Sequence, residues 1–194
     1  MLTVIIPTHN SERALVATLA ALVPGALAGT VREVIVADAG STDATAEVVD
    51  VAGGAIMVSR APLATRLKAA ADAARGTWLL FLRPGVVLDA AWVDETARLI
   101  DGAAMGEASH AAVFRRAAPD ADASPARQIL AVLAAALRGP HPDQGLVISR
   151  EAYARFGGHR ENTADPETDL LRRLGRRRLV RLGSAATGIA MRDS

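Results

Sequence analysis

The strongest constraint in this chain is an alternation of apolar runs and helical periodicity. Residues 2–7 (LTVIIP) and 33–38 (EVIVAD) are short, nearly continuous apolar stretches rich in β-branched side chains, the pattern of strands covered on both faces in a parallel sheet. Between them Leu15, Leu19 and Leu22 recur at i, i+4 and i+7, with Asn10 or Ser11 placed to cap the segment and Pro24-Gly25 placed to stop it, so a helix is expected there. The rhythm continues with a helix over 42–52 ended by Gly53-Gly54, a strand over 55–59, an Ala-rich helix over 63–75 ended by Gly76, a strand over 77–82 and a helix over 90–101 with Asp89 as its N-cap. The order βαβαβαβα predicts an α/β fold with a doubly wound, mostly parallel sheet.

After residue 102 the pattern becomes mixed. It predicts a strand over 111–115, a polar loop over 117–124, a helix over 125–138 with Ser124 as N-cap and Gly139-Pro140 as stop, a strand over 145–149, a short helix over 150–156, a helix from about 166 and a strand over 178–182. The loop is too short to join separate domains, so 1–194 is expected to be a single domain. A chain of 194 residues can bury roughly 70% of the surface its unfolded form exposes, enough for one full core.

Charge and composition mainly exclude. With 22 basic and 21 acidic side chains the net charge is +1, and Lys68 stands alone beside 21 Arg. Such usage reads as genomic composition, and no nucleic-acid partner follows from it. The absence of Cys removes disulfides, thiolate metal sites and a Cys nucleophile, and favours a cytoplasmic location. The longest late apolar run, 129–137, is about half the ~20 residues that cross a bilayer, so no transmembrane segment is expected. The cluster Arg172, Arg173, Arg176, Arg177, Arg178 and Arg181 reads as a solvated helix end leading into a strand, with peripheral contact to anionic lipid as the alternative.

In an open α/β sheet, ligands bind beyond the carboxyl ends of the strands. Here those ends carry residues 7–10, 38–43, 60–62 and 83–85, so polar groups converge on one edge. The fingerprints of other chemistries on such sheets are missing: there is no G-x-G-x-x-G after the first strand, no G-x-x-x-x-G-K-[ST] and no G-x-S-x-G. Dinucleotide enzymes, P-loop NTPases and serine hydrolases are thereby set aside.

Four segments carry a resemblance. They are Val4-Ile5-Ile6-Pro7-Thr8-His9-Asn10, then Val36-Ala37-Asp38-Ala39-Gly40-Ser41-Thr42-Asp43-Ala44-Thr45, then Ala74-Arg75-Gly76-Thr77-Trp78-Leu79-Leu80-Phe81-Leu82, and finally Asp143-Gln144-Gly145-Leu146 with Gly157-Gly158. Together they resemble family-2 glycosyltransferases of the GT-A fold, in a short bacterial form, over most of residues 2–182. The resemblance implies that Asp38 receives the base of a nucleotide-diphospho-sugar, with Pro7, Thr8, Asn10 and Ser41 lining that pocket. A carboxylate can accept an imide or amino N–H of a base. On the residues alone, Asp38 and Ser41 can equally cap the helix that follows, with Asp43 as an anion in its first turn.

Two departures from the family matter. Where it carries D-x-D to hold a divalent ion, this chain reads Arg83-Pro84-Gly85, so these residues supply no metal ligand and a Mn²⁺ or Mg²⁺ cofactor has no site there. Arg83 is expected to stand in as a fixed cation. The family's base, an E-D pair at a helix start, is replaced by Asp165-Pro166-Glu167. Glu167 aligns with the base and Asp165 is its nearest replacement, although Asp165 as N-cap with Pro166 at N1 also makes a good helix start by itself. The reading that follows is sugar transfer from a nucleotide-diphospho-sugar to an unknown acceptor, inverting and metal-independent. Residues 1–102 would form the nucleotide-binding half and 103–194 the acceptor-side half. The alternative is a non-catalytic nucleotide-sugar-binding protein that has lost its metal site.

Overall fold

A computed structural model describes residues 1–106, 110–117 and 139–188. The chain runs β1 (Leu2–Thr8), α1 (Glu12–Leu27), β2 (Val31–Asp38), α2 (Thr45–Val51), β3 (Ala55–Val58), α3 (Leu63–Ala73), β4 (Trp78–Phe81), β5 (Val86–Leu88), α4 (Trp92–Ala104) and β6 (Ala111–Arg116). A 3₁₀ turn (Pro142–Gln144), β7 (Leu146–Ser149), α5 (Arg150–Arg155), α6 (Pro166–Leu174) and β8 (Leu179–Gly188) follow. The helix expected over 125–138 lies outside the described residues. Among the described residues no helix is long and apolar enough to cross a membrane.

The strands form one sheet in the order β3-β2-β1-β4-β7-β6-β8-β5. The first four are parallel. Strand β7 then runs antiparallel to both β4 and β6, β8 lies parallel to β6, and β5 closes the edge antiparallel to β8. Strands β1, β2 and β3 are laid down in one direction, after which β4 returns to the other side of β1. That reversal opens a crevice at the carboxyl ends of β1 and β4, the place where such sheets take ligands.

Alternate side chains of each strand feed two cores, as the two-residue period of a strand requires. Val4, Ile6, Leu80 and Leu82 pack with Leu15, Leu22 and Trp92 on one face, while Ile5, Leu79 and Phe81 pack with Leu67, Leu170 and Leu171 on the other. On the second face Phe81 meets Tyr153 with ring centroids 5.3 Å apart and His159 at 4.8 Å. The Tyr153 hydroxyl lies 2.9 Å from His159 Nδ1. Burial, reinforced by the charge of Arg173, pulls the His159 pKa down to about 3.

The structure departs from the expected element boundaries in four places. Helix α1 passes through Pro24-Gly25 and ends at Leu27. Proline so near a helix end deprives only the Ala20 carbonyl of its donor. Gly25 is needed for packing, since a Cβ there would lie 2.4 Å from Trp92 Cη2, and the Trp92 indole N–H donates to the Ala21 carbonyl at 3.1 Å. Helix α2 begins at Thr45, three residues later than expected, because Ser41 to Ala44 are used in turns described below. Strand β8 is ten residues long and creates β5, a three-residue strand whose pairing depends on a segment about a hundred positions away. Asp89 does not occupy the N-cap of α4, which is Ala91. Its carboxylate accepts the Ala91 N–H at 3.1 Å and the Ala185 N–H at 2.6 Å, so it ties β8 to the start of the helix.

Candidate active site

One edge of the candidate site is built from the loops after β1 and β2. Asp38, at the end of β2, is only 2% exposed. Its Oδ1 accepts from the Thr8 hydroxyl at 2.8 Å and from the Ser41 hydroxyl, and its Oδ2 accepts the N–H groups of Gly40 at 2.8 Å and Ser41 at 2.7 Å. Gly40 has φ +92°, a left-handed conformation open to glycine at no steric cost, and this turns both N–H groups inward. Burial raises the Asp38 pKa, but the hydrogen bonds from Ser41, Thr8 and Gly40 outweigh it and hold the carboxyl below its usual value. All four of its acceptor positions are taken. Asp38 therefore organises the loop, and a nucleobase could bond to it only by displacing one of these donors.

The two loops are also clasped to each other. Asn10 has φ +49°, the one positive φ outside glycine among the described residues. Its N–H donates to Ser41 Oγ at 2.8 Å and its Oδ1 accepts the Thr42 N–H at 2.8 Å. Asp43 accepts the N–H of Glu12, at the start of α1, at 3.1 Å, the Thr45 hydroxyl at 2.6 Å and the Thr45 N–H at 3.1 Å, while Glu12 accepts the Ala44 N–H at 2.9 Å. Asp43 thus joins the starts of α1 and α2. Pro7 lies opposite Ala37 in the β1–β2 register, and Thr8 is buried beneath the loop.

One residue at this edge was not expected from sequence. Arg66, on α3, reaches across the strand ends, donating through Nη1 to the Ala37 carbonyl and through Nε to the Ala61 carbonyl at 3.2 Å. Burial lowers its pKa and the charge of Asp38 partly restores it. Its sole signal in sequence is a cation on an Ala-rich helix, which 20 other arginines obscure.

The second part of the site lies where β4 ends. Arg83 donates through Nε and Nη2 to Oε2 of Glu167 at 2.9 and 2.7 Å, and through Nη1 to Oδ1 of Asp143 at 3.0 Å. Burial would lower the Arg83 pKa, but Glu167 and Asp143 together raise it. Glu167 is nearly buried at 8% exposure. Asp143, on the 3₁₀ turn, also lies 3.1 Å from His141 Nδ1. Asp165 is the N-cap of α6 and accepts from Thr168 N at 3.0 Å and Thr168 Oγ at 2.6 Å. Burial raises its pKa, whereas Thr168 and the charge of Arg83 bring it below the ordinary value. The expected trio of Arg83, Glu167 and Asp165 is thus assembled, with Asp143 as an additional partner. Gly85, at φ +85°, donates its N–H to Ala14 O at 3.1 Å and Thr18 Oγ at 2.9 Å, so position 85 is fastened to α1.

The sheet and its crevice place the chain in the GT-A class of folds. A mannosyltransferase from Pyrobaculum calidifontis, PcManGT, in complex with GDP-Man and Mn²⁺, superposes with TM-score 0.73 at 18% identity, covering 98% of this chain and 57% of its own. Glucosyl-3-phosphoglycerate synthase from Mycobacterium tuberculosis, in complex with Mn²⁺, UDP and glucosyl-3-phosphoglycerate, gives 0.69 at 20% identity, covering 99% and 73%. Residues 1–349 of TarS from S. aureus, in complex with UDP-GlcNAc, give 0.69 at 19% identity, covering 98% and 59%. The sequence model of glycosyl transferase family 2 matches residues 3–103, and the chain belongs to that family. No curated protein matches it. The chain spans little more than half the length of the mannosyltransferase.

Manganese accompanies GDP-Man in the first of these structures and UDP in the second. A hard divalent ion needs several oxygen ligands. At the end of β4 the nearby carboxylates of Glu167 and Asp143 are already engaged by Arg83, and among the described residues no group of three or more His, Asp or Glu is placed to hold a metal. These residues do not fit the ion.

Proposed function

We propose that this chain transfers a sugar from a nucleotide-diphospho-sugar to an acceptor hydroxyl, with inversion and without a metal. Glu167 would serve as base and Arg83 as the cation facing the leaving diphosphate. The observation that carries this reading is the Arg83 bridge to Glu167 and Asp143, at the switch point of the sheet. The nucleotide would lie over the β1 and β2 ends, against Pro7, Thr8, Asn10, Asp38, Ser41 and Arg66.

In a single displacement the acceptor oxygen attacks the anomeric carbon, the bond to the diphosphate breaks, and the hydroxyl proton passes to the base. Glu167 in its bridge is ionised but occupied. A diphosphate arriving at the end of β4 competes for Arg83, because guanidinium forks bind phosphate as well as carboxylate. Transfer of Arg83 from Glu167 to the donor would free the carboxylate for the acceptor hydroxyl and place positive charge where negative charge develops. Residue 165 would then serve mainly to hold the start of α6.

The same bridge favours a second reading, a nucleotide-sugar-binding domain in which Glu167 stays locked and no transfer occurs. Calorimetry against UDP- and GDP-sugars, with nucleoside diphosphate release followed in excess EDTA, separates the two. Release that persists in EDTA supports a metal-free transferase. Binding without release selects the second reading, and activity lost in EDTA and restored by Mn²⁺ rejects the role given to Arg83.

A further inference from the structure

Beside the candidate base lies a hollow of about 440 Å³. It is lined by Arg116 from the end of β6, His141 from the start of the 3₁₀ turn, Thr168 and Arg172 from α6, and Arg176 from the turn before β8. None of its lining residues is acidic. The chain as a whole is almost neutral at +1, so this gathering of cations is a matter of placement rather than of overall basicity. Elsewhere arginines find acids: Arg75 pairs with Glu33, Arg83 with Glu167 and Asp143, Arg155 with Glu151, and Arg173 with Asp169. Among the described residues Arg116 and Arg172 make no such pair. Arg172 and Arg176 flank the carboxyl end of α6, where the helix dipole favours a cation. Arg116 has no helix end to serve, yet it arrives on a strand from another part of the sequence and lines the same hollow.

We propose that this hollow binds a phosphate-class anion carried by the acceptor. The proposal rests on the transferase reading above and adds the chemical class of the second substrate. Guanidinium groups on two different segments, Arg116 on β6 and Arg172 on α6, offer fork donors to one anion from two directions, a geometry suited to phosphate. The hollow adjoins the reacting end of the site at two points. Thr168 follows Glu167 on α6, and His141 contacts Asp143, which holds Arg83. An acceptor held here by its charge would have a hydroxyl within reach of the base, so that one ionic anchor sets its orientation. The phosphate could belong to a free phosphate ester or to a lipid headgroup, since Arg177, Arg178 and Arg181 are exposed nearby.

The test uses glycerol 3-phosphate by calorimetry and phosphatidylcholine vesicles with or without phosphatidic acid by sedimentation, on the full chain and on R116A/R172A. Both side chains are exposed, and a thermal melt checks that the variant folds. The expected result is saturable binding of one or both probes, weakened at least 10-fold in R116A/R172A and weakened by added salt. Binding of glycerol 3-phosphate identifies a free ester as the source, and binding of the acidic vesicles alone identifies a headgroup. Absence of both, binding unaffected by R116A/R172A, or phosphate displaced by UDP or GDP overturns the proposal. UDP and GDP titrated into the same samples keep the two claims apart. Nucleotide bound without phosphate sinks the anion site alone, whereas phosphate bound without nucleotide keeps the anion site and sinks the transferase reading.

Discussion

The two ends of this active-site crevice are built in opposite ways. At the β1–β2 edge a single carboxylate, Asp38, is enclosed by four donors, three of them from residues 40 and 41 just beyond it in the chain. At the β4 edge the central contact joins residues 84 positions apart, Arg83 and Glu167, with Asp143 reached across 60. The first arrangement is mostly short-range, shared between two backbone N–H groups and two hydroxyls, and saturated. The second is long-range, ionic and exchangeable, since an incoming anion can take the place of either acid on Arg83. On the proposed reading this is a division of labour, with a rigid seat for the unreactive nucleotide and an adjustable one for the group that changes charge during reaction.

The largest effect should come from breaking the ionic end. Glu167→Gln should lower turnover by roughly 10²–10⁴-fold, the usual contribution of a positioned general base, while calorimetric affinity for the donor is kept or rises, because Arg83 no longer has to leave a charged partner. Asp165→Asn should cost far less, because its carboxylate is committed to Thr168. Near-normal turnover in Glu167→Gln with loss in Asp165→Asn would move the base to Asp165, and near-normal turnover in both would remove the base from α6 altogether.

The contrast also explains which parts were legible in the sequence. Asp38, Ser41, Thr8 and Asn10 lie in two contiguous motifs, where each residue's partner is close by or in the neighbouring loop; the family resemblance of those motifs picked them out, whereas strand-end and turn chemistry alone left Asp38 and Ser41 open as helix caps. The parallel half of the sheet was legible for the same reason, as its apolar runs alternate with amphipathic helices. Strand β5 and the second half of β8 were not, because each becomes a strand only through pairing with the other. The Arg83 position drew notice as a departure from D-x-D, but nothing in the sequence told that its partners would include Asp143. Arg66 was hidden by the sheer number of arginines. Its placement depends on where α3 crosses the strand ends, and helical periodicity carries no such information.

A middle-sized effect should separate the two ends by pH. The folded Asp38 carboxyl titrates below its usual 3.8, so the unfolded chain binds protons more readily, and its stabilisation is present above about pH 4 and lost on further acidification. His159, packed under β4, falls from 6.5 to about 3. The unfolded chain again takes the proton first, so that contribution is complete above pH 6.5 and declines from there toward pH 3. Chemical denaturation as a function of pH should therefore show an early loss between pH 6.5 and 4 that His159→Phe flattens. A later loss below pH 4 should be reduced in Asp38→Asn. At pH 7, Asp38→Ala should cost about 2–4 kcal/mol, because several buried donors lose their acceptor at once. An early loss untouched by His159→Phe would show that the β4 side of the molecule is not what yields first to acid.

The smallest effect tests how firmly the loops after β1 and β2 are clasped. Asn10 holds φ +49°, a region that asparagine tolerates and alanine reaches at a cost of about 1 kcal/mol. Its Oδ1 also accepts the Thr42 N–H, but at an exposed position water can replace that bond. Asn10→Gly loses the bond, relaxes the backbone and gains entropy in the unfolded chain, terms that nearly cancel to a loss within about 1 kcal/mol. Asn10→Ala loses the same bond and keeps the strain. Alanine should therefore be the less stable of the two by about 1 kcal/mol, read as a shift in urea midpoint at constant slope. If the two variants unfold together, the loop does not enforce a left-handed residue there, and the rigid seat would owe its shape to Asp38 and its four donors alone.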